Sequence, residues 1–408
     1  MTTTLEHPAA VSSDRRQSRR PTATLTESAA LQPVTGIVEL DGRQGFLRGA
    51  GYLPSAQDCY LSAELIRKHQ LRSGDVVNGV APPRPAESGR SEQTKAVPLA
   101  RVDLVNGRPA DQPAPRPNFA ELTPIHPRER LRLETGPGVS ATRAIDLLAP
   151  IGKGQRGLIV AQPKTGKTQI LQAIAKAVER NHPECHLMVV LLDERPEEVT
   201  DMRRTVGGEV IASTFDRPAH EHIAIAELAI ERAKRLAEQG TDVVILLDSL
   251  TRLCRAHNNN AKPGGRTLSG GVDAAAVAGP KRLFGAARNL EEAGSITILA
   301  TALIDTGSRA DDYFFEELKG TGNMELRLDR GLADKRIYPA IELAGTGTRR
   351  DELLVPAEEL DAVRRLRRVL DAQPGVGPTE LLLDRMKHTA SNAEFLQQIR
   401  QTTPASGA

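Results

Sequence analysis

Apolar runs alternate with helix-like stretches from about residue 154 onward. In the stretch 219–239, for example, apolar residues recur at helical spacing, at Ile223, Ala226, Ile230 and Ala233. The apolar runs are nearly continuous, which is typical of parallel strands that helices cover on both faces. The pattern therefore predicts an α/β domain, with strands at 158–161, 187–192, 210–212, 243–247 and 296–300.

The preceding segment, from 34 to about 105, has a different pattern. Its apolar stretches are short, and Gly, Asp and Pro separate them, which predicts a small all-β barrel. A Pro-rich stretch at 109–117 favours a domain boundary, whereas the segment 82–93 fits a linker or a long loop equally well. The barrel strands are expected around 36–38, 45–47, 59–61, 76–77 and 99–105.

Composition narrows the class of protein. The chain has 408 residues, enough for two or three domains, and 54 Lys and Arg against 52 Asp and Glu give a net charge of +2. Any basic surface for nucleic acid must therefore be local. With no Trp and 3% aromatic residues, Leu, Ile, Val and Ala must fill the core. The cysteines lack metal-site spacing and no apolar run approaches a membrane span, so we expect a cytoplasmic protein without a membrane partner.

The two ends of the chain carry weak signals. Residues 1–33 are rich in Thr, Ser, Ala and Arg and have no apolar periodicity, which predicts a disordered basic tail. Residues 401–408 are expected to form a short C-terminal tail. Contact with nucleic acid and simple solvation both stay open for the basic residues of the first tail, Arg15, Arg16, Arg19 and Arg20.

The octapeptide AQPKTGKT at 161–168 is the strongest chemical signal in the chain. It follows an apolar run and precedes a helix-like run, 169–180, so strand, loop and helix stand in the order of a phosphate-binding P-loop. The loop N–H groups and the helix N-terminus favour phosphate, Lys167 can reach the β- and γ-phosphates, and the Thr168 hydroxyl suits Mg²⁺. Ala161 stands where the first Gly usually is, and its small side chain is compatible with the turn.

Acidic residues follow two of the expected strands. Asp248 fits the Walker B carboxylate that holds the Mg²⁺ shell, although an Asp here also commonly caps the next helix. Glu194 fits a residue that polarises the attacking water; alternatively, Asp193 or Glu194 caps the helix that begins near Pro196. Arg349 lies in a Gly- and Thr-rich turn and could stabilise a nucleotide held by a neighbouring subunit, with a surface role as the default.

Six strings beyond the P-loop resemble the family of the bacterial transcription termination factor Rho. The similarity covers about 34–399, and such long strings are far more specific than a P-loop alone. The Ala at the first P-loop position also resembles the P-loop sequence of this family. The strings are DERPEEV (193–199), LLDSLTR (246–252), SGGVD (269–273), PKRLFGAAR (280–288), ALIDTGS (302–308) and KGTGNME (319–325).

The resemblance implies a RecA-like ATPase domain at 125–400, preceded by an OB-fold, cold-shock-like RNA-binding domain at 34–107 and a linker at 108–124. It implies a homohexamer that hydrolyses ATP with Mg²⁺ at subunit interfaces and moves 5′ to 3′ along pyrimidine-rich single-stranded RNA as a helicase. The expected result is transcription termination by release of RNA from the RNA polymerase elongation complex, with an accessory elongation factor as a further partner. The helical subdomain that usually precedes the barrel in this family is expected to be missing or reduced to the tail.

The resemblance also implies roles for residues of the ATPase domain. Thr168 and Asp248 are the implied metal ligands, and Arg336 is expected to assist Arg349. The implied catalytic residues are Glu194, Lys167, Asp248, Arg349 and Arg195. The implied nucleotide-binding residues are Lys164, Thr165, Gly166, Lys167, Thr168, Gln169, Arg195 and Arg252.

RNA-binding residues are implied on the barrel. Phe46, Arg48, Asp58 and Tyr60 match the family's RNA-contact strands, although a place in the barrel core is the alternative for Phe46. Gln44 departs from the family, which has an aromatic residue at this position. Because base–aromatic stacking contributes roughly 1–3 kcal/mol per base, its loss should weaken RNA binding or relax the pyrimidine preference.

Two pore loops are implied in the ATPase domain. The first, 261–271, carries Arg266, and the second, 305–309, carries Arg309, with Lys319 expected close by. Flexible loops with cations can hold a phosphodiester backbone and move with the nucleotide state.

Two other classes of protein stay open. A RecA-like rotary or protein-export ATPase shares the P-loop, the strand-end Glu and the trans Arg, but the barrel aromatics and the basic loops speak against it. A passive RNA-binding protein with a decayed motor is the other alternative, although the expected motor residues are all present. Dependence of ATP hydrolysis on RNA distinguishes these classes.

Overall fold

The computed structural model describes residues 31–42, 44–84, 96–112, 115–261, 268–274, 276–372, 375 and 377–402. Several predictions therefore fall on positions outside the described residues. They are the tail up to 30, the segment 85–93, Arg266 of the first pore loop, and the C-terminal tail from 403. Across the described ranges, no helix combines the length and the apolar character needed to cross a membrane.

The first domain consists of short strands and one helix. Its elements are β1 (Gln32–Asp41), β2 (Gln44–Arg48), β3 (Cys59–Leu61), α1 (Ala63–Lys68), β4 (Val76–Ala81), β5 (Val97–Pro98), β6 (Arg101–Val105) and β7 (Arg108–Pro109).

These strands close into a barrel. β1 lies between β2 and β4 in antiparallel pairing, and β3 continues from β2. β5 pairs with β3 in parallel, whereas β6, which follows it directly, pairs with β4. Because β5 and β6 together connect the two outer strands, the sheet closes, as an OB fold requires. Aliphatic side chains such as Val38, Leu47, Leu61 and Val77 fill the interior.

The second domain contains a seven-stranded sheet and most of the helices. The strands of this domain are β8 (Pro124–Ile125), β9 (Arg130–Leu131), β10 (Ile151–Gly152), β11 (Arg156–Ala161), β12 (His186–Glu194), β13 (Glu209–Thr214), β14 (Val243–Asp248), β15 (Asn289–Leu290), β16 (Ile296–Leu303), β17 (Met324–Leu328) and β18 (Ile341–Thr348). The helices are α2 (Ser140–Leu148), α3 (Lys167–Asn181), α4 (Pro196–Thr205), α5 (Ala219–Glu238), α6 (Leu250–Asn259), α7 (Ala278–Phe284), α8 (Arg309–Lys319), α9 (Arg330–Asp334), α10 (Ala357–Asp371), α11 (Gly377–Lys387) and α12 (Asn392–Thr402). Single 3-10 turns lie at Phe119–Glu121, Ser269–Gly271 and Asp351–Leu353.

The sheet has the strand order β13-β12-β14-β16-β11-β17-β18. The first six strands are parallel, and β18 runs antiparallel to β17. Along β11, Leu158 and Val160 pack into one hydrophobic cluster, and Ile159 and Ala161 pack into another on the opposite face. This double burial explains the continuous apolar runs. The carboxyl ends of β11, β12, β14 and β16 share one edge, where ligands bind in open α/β sheets.

Several boundaries differ from the sequence predictions. β1 begins at Gln32, inside the predicted tail, because Gln32 pairs with Ala81 of β4. The predicted linker 108–124 contains β7 and a 3-10 turn whose Phe119 is buried in the core. α5 ends one residue before the predicted Gln239, which serves as its C-cap.

The barrel packs directly on the second domain. The Tyr52 hydroxyl donates to Glu209 at the start of β13 at 2.9 Å, and burial together with Glu209 raises the pKa of Tyr52, so the proton stays on the phenol. Arg72 forms an ion pair with the buried Glu238 of α5 at 2.7 Å. At Gly74 (φ +86), a Cβ would stand 2.3 Å from the Glu231 carbonyl carbon, so this close approach requires glycine.

Candidate nucleotide site and RNA-binding surfaces

The P-loop occupies the turn between β11 and α3. Lys164 (φ 67) and Gly166 (φ 89) have left-handed backbone conformations, which shape the turn. The buried Thr165 hydroxyl donates to the Gln162 carbonyl at 2.8 Å and closes the loop. The loop therefore presents its backbone and the N-terminus of α3 at the carboxyl edge of the sheet, where a phosphate is favoured.

Lys167 and Asp248 meet at this edge. Lys167 Nζ donates to Asp248 Oδ1 at 2.6 Å, and the Thr301 hydroxyl of β16 donates to the same oxygen at 2.9 Å. Asp248 does not cap α6, because the Ser249 side chain does so by accepting from the Arg252 N–H. The capping alternative for Asp248 is therefore wrong, and its buried carboxylate faces the P-loop lysine.

Glu194 ends β12 beside this pair and is 3% exposed. Its Oε1 accepts from the Arg195 N–H at 3.1 Å. Its Oε2 lies 3.8 Å from Lys167 Nζ and 2.9 Å from Arg252 Nη1. Lys167 is beyond hydrogen-bond distance and the Arg252 guanidinium is not aligned for a hydrogen bond, so across the described part of the chain this oxygen accepts no hydrogen bond. The carboxylate is thus oriented by the charges of Lys167 and Arg252.

The capping alternative for Asp193 and Glu194 is also wrong. α4 begins at Pro196, its N-cap is Arg195, and no side chain caps it. Asp193 has a left-handed backbone (φ 55), and its carbonyl accepts from Arg252 Nη1. Arg252 therefore ties α6 to the end of β12.

The oxygen donors here fit a hard divalent cation. The Thr168 hydroxyl donates to Glu198 Oε2 of α4 at 3.4 Å, and the Asp248 carboxylate accepts from the adjacent Lys167. Within the described ranges, no group of three or more His, Cys, Asp or Glu side chains could hold a metal alone. A cation at this site would therefore be shared with nucleotide phosphates, as is usual for Mg²⁺.

The other expected nucleotide-binding residues surround the loop. The side chains of Lys164, Gln169 and Arg195 are exposed at the carboxyl edge, and Arg252 is partly buried beside Glu194. The structure thus places all the expected nucleotide residues along one edge of the sheet.

Arg349 lies at the opposite end of the sheet. Thr348 of β18 pairs with Met324 of β17, and Met324 pairs with Gly157 at the start of β11. The P-loop begins after Ala161, four residues further along β11 and about 13 Å away at roughly 3.3 Å per residue. The exposed Arg349 is therefore too far from its own P-loop to contact phosphates there.

Arg336 does not lie beside Arg349 within one subunit. It is exposed between α9 and β18, and β18 starts at Ile341, which pairs with Leu328 at the P-loop end of β17. The two arginines are thus separated by the length of β18, and the structure does not bring them together in one chain.

The segment predicted as the second pore loop connects β16 to α8, and we call residues 304–308 the β16–α8 loop. Arg309 follows it as the exposed first residue of α8, whereas Lys319 is the last residue of that helix. At about 1.5 Å per residue they are about 15 Å apart along the axis. The expected proximity of Lys319 to this loop is therefore not seen, and its amine instead lies 5.8 Å from the Phe315 ring centroid.

An aromatic pair lies on the outer face of the barrel. Phe46 pairs with Tyr60 across β2 and β3, and their ring centroids are 6.0 Å apart in an edge-to-face arrangement. Leu47 points into the core, so alternation directs Phe46 outward, and the core alternative for Phe46 is wrong. Gln44 is exposed and has the same alternation as Phe46.

Arg48 lies beside this pair. Its guanidinium carbon is 4.8 Å from the Phe46 ring centroid, and its Nε donates to Glu39 at 2.5 Å. It also forms an ion pair with Asp58, whose 3%-exposed carboxylate accepts from Ser55 as well. Asp58 is thus placed to hold Arg48 rather than to face solvent.

Sequence reasoning missed three residues of the nucleotide edge. Thr301 and Glu198 contact Asp248 and Thr168, and neither contact has a local sequence signal. Tyr338 is 41% exposed, and its ring lies 3.4 Å from where a Cβ of Gly166 would be. The rarity of aromatic residues, 3% of the chain, was the available sequence signal for Tyr338.

Two protein-family models match the chain. The model described as "Rho termination factor, RNA-binding domain" matches residues 34–111. The model described as "ATP synthase alpha/beta family, nucleotide-binding domain" matches residues 141–346. The first covers the barrel and the second covers the P-loop and the strand ends around it.

Curated relatives are similar over nearly the whole chain. A "Transcription termination factor Rho" of Streptomyces coelicolor is 58% identical over 99% of this chain and 91% of its own. One of Streptosporangium roseum is 57% identical over 95% of this chain and 98% of its own. One of Streptomyces lividans is 60% identical over 94% of this chain, which spans 54% of that longer relative.

Solved structures show the same fold at low identity. A type III secretion ATPase of pathogenic bacteria has a TM-score of 0.56 at 22% identity, covering 76% of this chain and 93% of its own. The assembled ATPase EscN of enteropathogenic E. coli has a TM-score of 0.57 at 18% identity, and the match covers 90% of this chain and 99% of the EscN chain. At these identities the likeness concerns the fold.

Proposed function

The chain belongs to the transcription termination factor Rho family, and from this premise we propose that it is an ATP-driven 5′-to-3′ RNA translocase that terminates transcription. One observation carries the proposal. A barrel with an outward aromatic pair is packed on an ATPase domain whose Lys167, Asp248 and Glu194 meet at one sheet edge. RNA binding and ATP hydrolysis thus occur in one chain.

The proposed hydrolysis uses residues of the carboxyl edge. Lys167 and the loop N–H groups would bind the β- and γ-phosphates, and the exposed Tyr338 ring, which lies beside Gly166, would stack on the base. Thr168 and Asp248 would hold Mg²⁺, which neutralises phosphate charge when bound. Glu194 Oε2 accepts the proton of the attacking water, and Arg252 keeps this carboxylate in place.

Arg349 is proposed to act on the neighbouring subunit's nucleotide. Its position at the far end of the sheet makes a role at its own P-loop impossible, whereas a ring of subunits would bring it to the next site. We propose a homohexamer on this basis, together with the family's ring architecture.

RNA is proposed to bind at two places. Phe46 and Tyr60 would stack bases while Arg48, held by Asp58 and Glu39, contacts the backbone. Arg309, and by the family resemblance Arg266 and Lys319, would contact RNA inside the ring. The preference for pyrimidine-rich RNA, the cytoplasmic location, the RNA polymerase elongation complex and an accessory elongation factor are parts of the same proposal.

Release of RNA from halted elongation complexes tests this proposal directly. With labelled RNA in immobilised complexes, we expect the chain and ATP to release RNA, and Lys167→Ala to release none. RNA release that proceeds equally well with Lys167→Ala would contradict an ATP-driven terminator.

A protein-export ATPase is the second candidate, and the likeness to type III secretion ATPases favours it. That likeness concerns the fold, whereas the match to the Rho RNA-binding domain over 34–111 supports RNA as the ligand. ATP hydrolysis at a rate that RNA does not change would support this candidate.

Gln44→Tyr should tighten RNA binding at the barrel. Gln44 lies on the face of Phe46, so an aromatic ring there would add a third stacking platform. One stacked base contributes roughly 1–3 kcal/mol, so the Kd for oligo(C) should fall at least about 5-fold. Fluorescence anisotropy of a labelled oligo(C) measures it.

Gln32→Tyr provides the matched control, because Gln32 is also an exposed glutamine that opens a strand, but it lies outside the aromatic face. Its affinity should equal that of the wild type. Equal affinities for all three proteins would mean that position 44 does not stack bases.

A further inference from the structure

One side chain joins the P-loop to the β16–α8 loop. Gln162 Nε2 donates to Asp305 Oδ2 in the β16–α8 loop, and Gln162 Oε1 accepts from the Arg330 N–H at 3.1 Å. The amide donor thus faces a carboxylate and the amide acceptor faces an N–H. Both ends of the amide are used, and its orientation is fixed because exchanging them would lose both bonds.

The β16–α8 loop is also anchored elsewhere. At its start, the Ile304 N–H donates to the Ala161 carbonyl at 3.2 Å. At its far end, Asp311 accepts from the Thr306 hydroxyl at 2.5 Å and from Arg255 Nε at 2.9 Å. Arg255 belongs to α6, so the loop is fixed to two elements of the ATPase core. Among the residues that the structure describes, Gln162 therefore supplies the one side-chain hydrogen bond between this loop and the P-loop.

The backbone around this link is strained. Asp305 has a φ of 52, and Lys164, two residues after Gln162, has a φ of 67. Non-glycine residues persist in this region only where their surroundings hold them, and such positions are common in switch regions. A change in P-loop conformation on phosphate binding would therefore alter the conformation of Asp305.

We propose that Gln162 is a positioning residue that couples the phosphate state at the P-loop to the conformation of the β16–α8 loop, and so to RNA contact by Arg309. The inference rests on the proposed function. Arg309 lies four residues after Asp305, so moving Asp305 moves the base of the segment that carries this cation. Coupling free energies are reciprocal, so RNA bound at Arg309 changes nucleotide binding at the P-loop by the same factor.

The chemistry of the link predicts how substitutions act. Gln162→Ala removes both bonds, and Asp305→Ala removes one. Gln162→Glu keeps an acceptor for the Arg330 N–H but sets a second carboxylate beside Asp305, which is repulsive at this range. Combining Gln162→Glu with Asp305→Asn exchanges donor and acceptor and rebuilds the link.

The test measures the stimulation factor, which is the ratio of ATP turnover with and without poly(C). Gln162→Ala and Asp305→Ala should each lower it about 2- to 30-fold, the range for residues on a coupling route. The stimulation factor of the double variant, Gln162→Ala with Asp305→Ala, should be no lower than that of the more strongly affected single variant. Gln162→Glu should lower it, and adding Asp305→Asn should restore it.

Gln172→Ala is the matched control. Gln172 Nε2 donates to Asp201 Oδ2 at 2.6 Å, the same chemistry, but the link leads from α3 to α4 and not to an RNA loop. Its stimulation factor should be that of the wild type. The KM for ATP of every variant separates coupling from damage to the P-loop.

Two results overturn the inference: additive losses in the double variant, or a raised KM with an unchanged stimulation factor. If poly(C) stimulates the wild type and all variants equally, this inference fails and the proposed function stands. If poly(C) does not stimulate the wild type, the proposed function fails, and this inference fails as well because it rests on that function.

Discussion

Glu194→Gln is expected to abolish ATP turnover while ATP binding persists. The amide keeps the shape of the side chain and its oxygen can still accept from the Arg195 N–H. It cannot take up a proton at the position of Oε2, the oxygen that accepts no hydrogen bond within the described residues. A positioned general base contributes about 10²- to 10⁴-fold, so turnover should fall at least about 100-fold.

Equilibrium binding of a fluorescent ATP analogue and steady-state phosphate release measure the two effects separately. The control is Glu197→Gln, the same substitution at an exposed position in the first turn of α4. It should keep both binding and turnover. Near-wild-type turnover in Glu194→Gln would show that Glu194 is not the base.

Arg349→Ala should also stop turnover, although Arg349 is remote from its own P-loop. An arginine supplied to the transferring phosphoryl group contributes about 10³- to 10⁵-fold. The neighbouring Arg350, which is exposed and pairs with Glu352 at 2.5 Å, gives the control Arg350→Ala with the same loss of charge. Phosphate release by rings of each variant compares them, and only Arg349→Ala should be inactive.

Mixing the two inactive variants tests whether Arg349 acts across subunits. In mixed rings, a site with Glu194 from an Arg349→Ala subunit can receive Arg349 from a Glu194→Gln neighbour. Such a site is complete, so activity should return after subunit exchange. If Arg349 served its own subunit, no mixture would contain a complete site and activity would stay absent.

Local signals explain what the sequence predicted well. Four central strands, β11, β12, β14 and β16, are buried on both faces, so each appears as a continuous apolar run. All five predicted runs are strands, the fifth being the edge strand β13. The P-loop lies within one strand–turn–helix unit, so its geometry follows from neighbouring residues. Asp248 and Glu194 were predicted from their positions at strand ends and by the family strings, and the structure brings both to Lys167.

What the sequence did not predict depends on distant pairings. β17 alternates buried and half-buried residues, and β18 is antiparallel, so neither has the continuous apolar pattern. The contact of Thr301 with Asp248 and that of Gln162 with Asp305 each join segments far apart in the chain. The opposite placement of Arg336 and Arg349 likewise follows from the register of β18, which no local spacing shows.

ATP hydrolysis with and without poly(C), with Lys167→Ala as the blank, tests the central claim most directly. Lys167 donates to Asp248 and opens α3, so its removal should abolish phosphate binding and set the background. Strong stimulation of the wild type by poly(C) is the result expected of an RNA-driven motor. Robust hydrolysis that poly(C) does not change would contradict the account and point to an export-type ATPase.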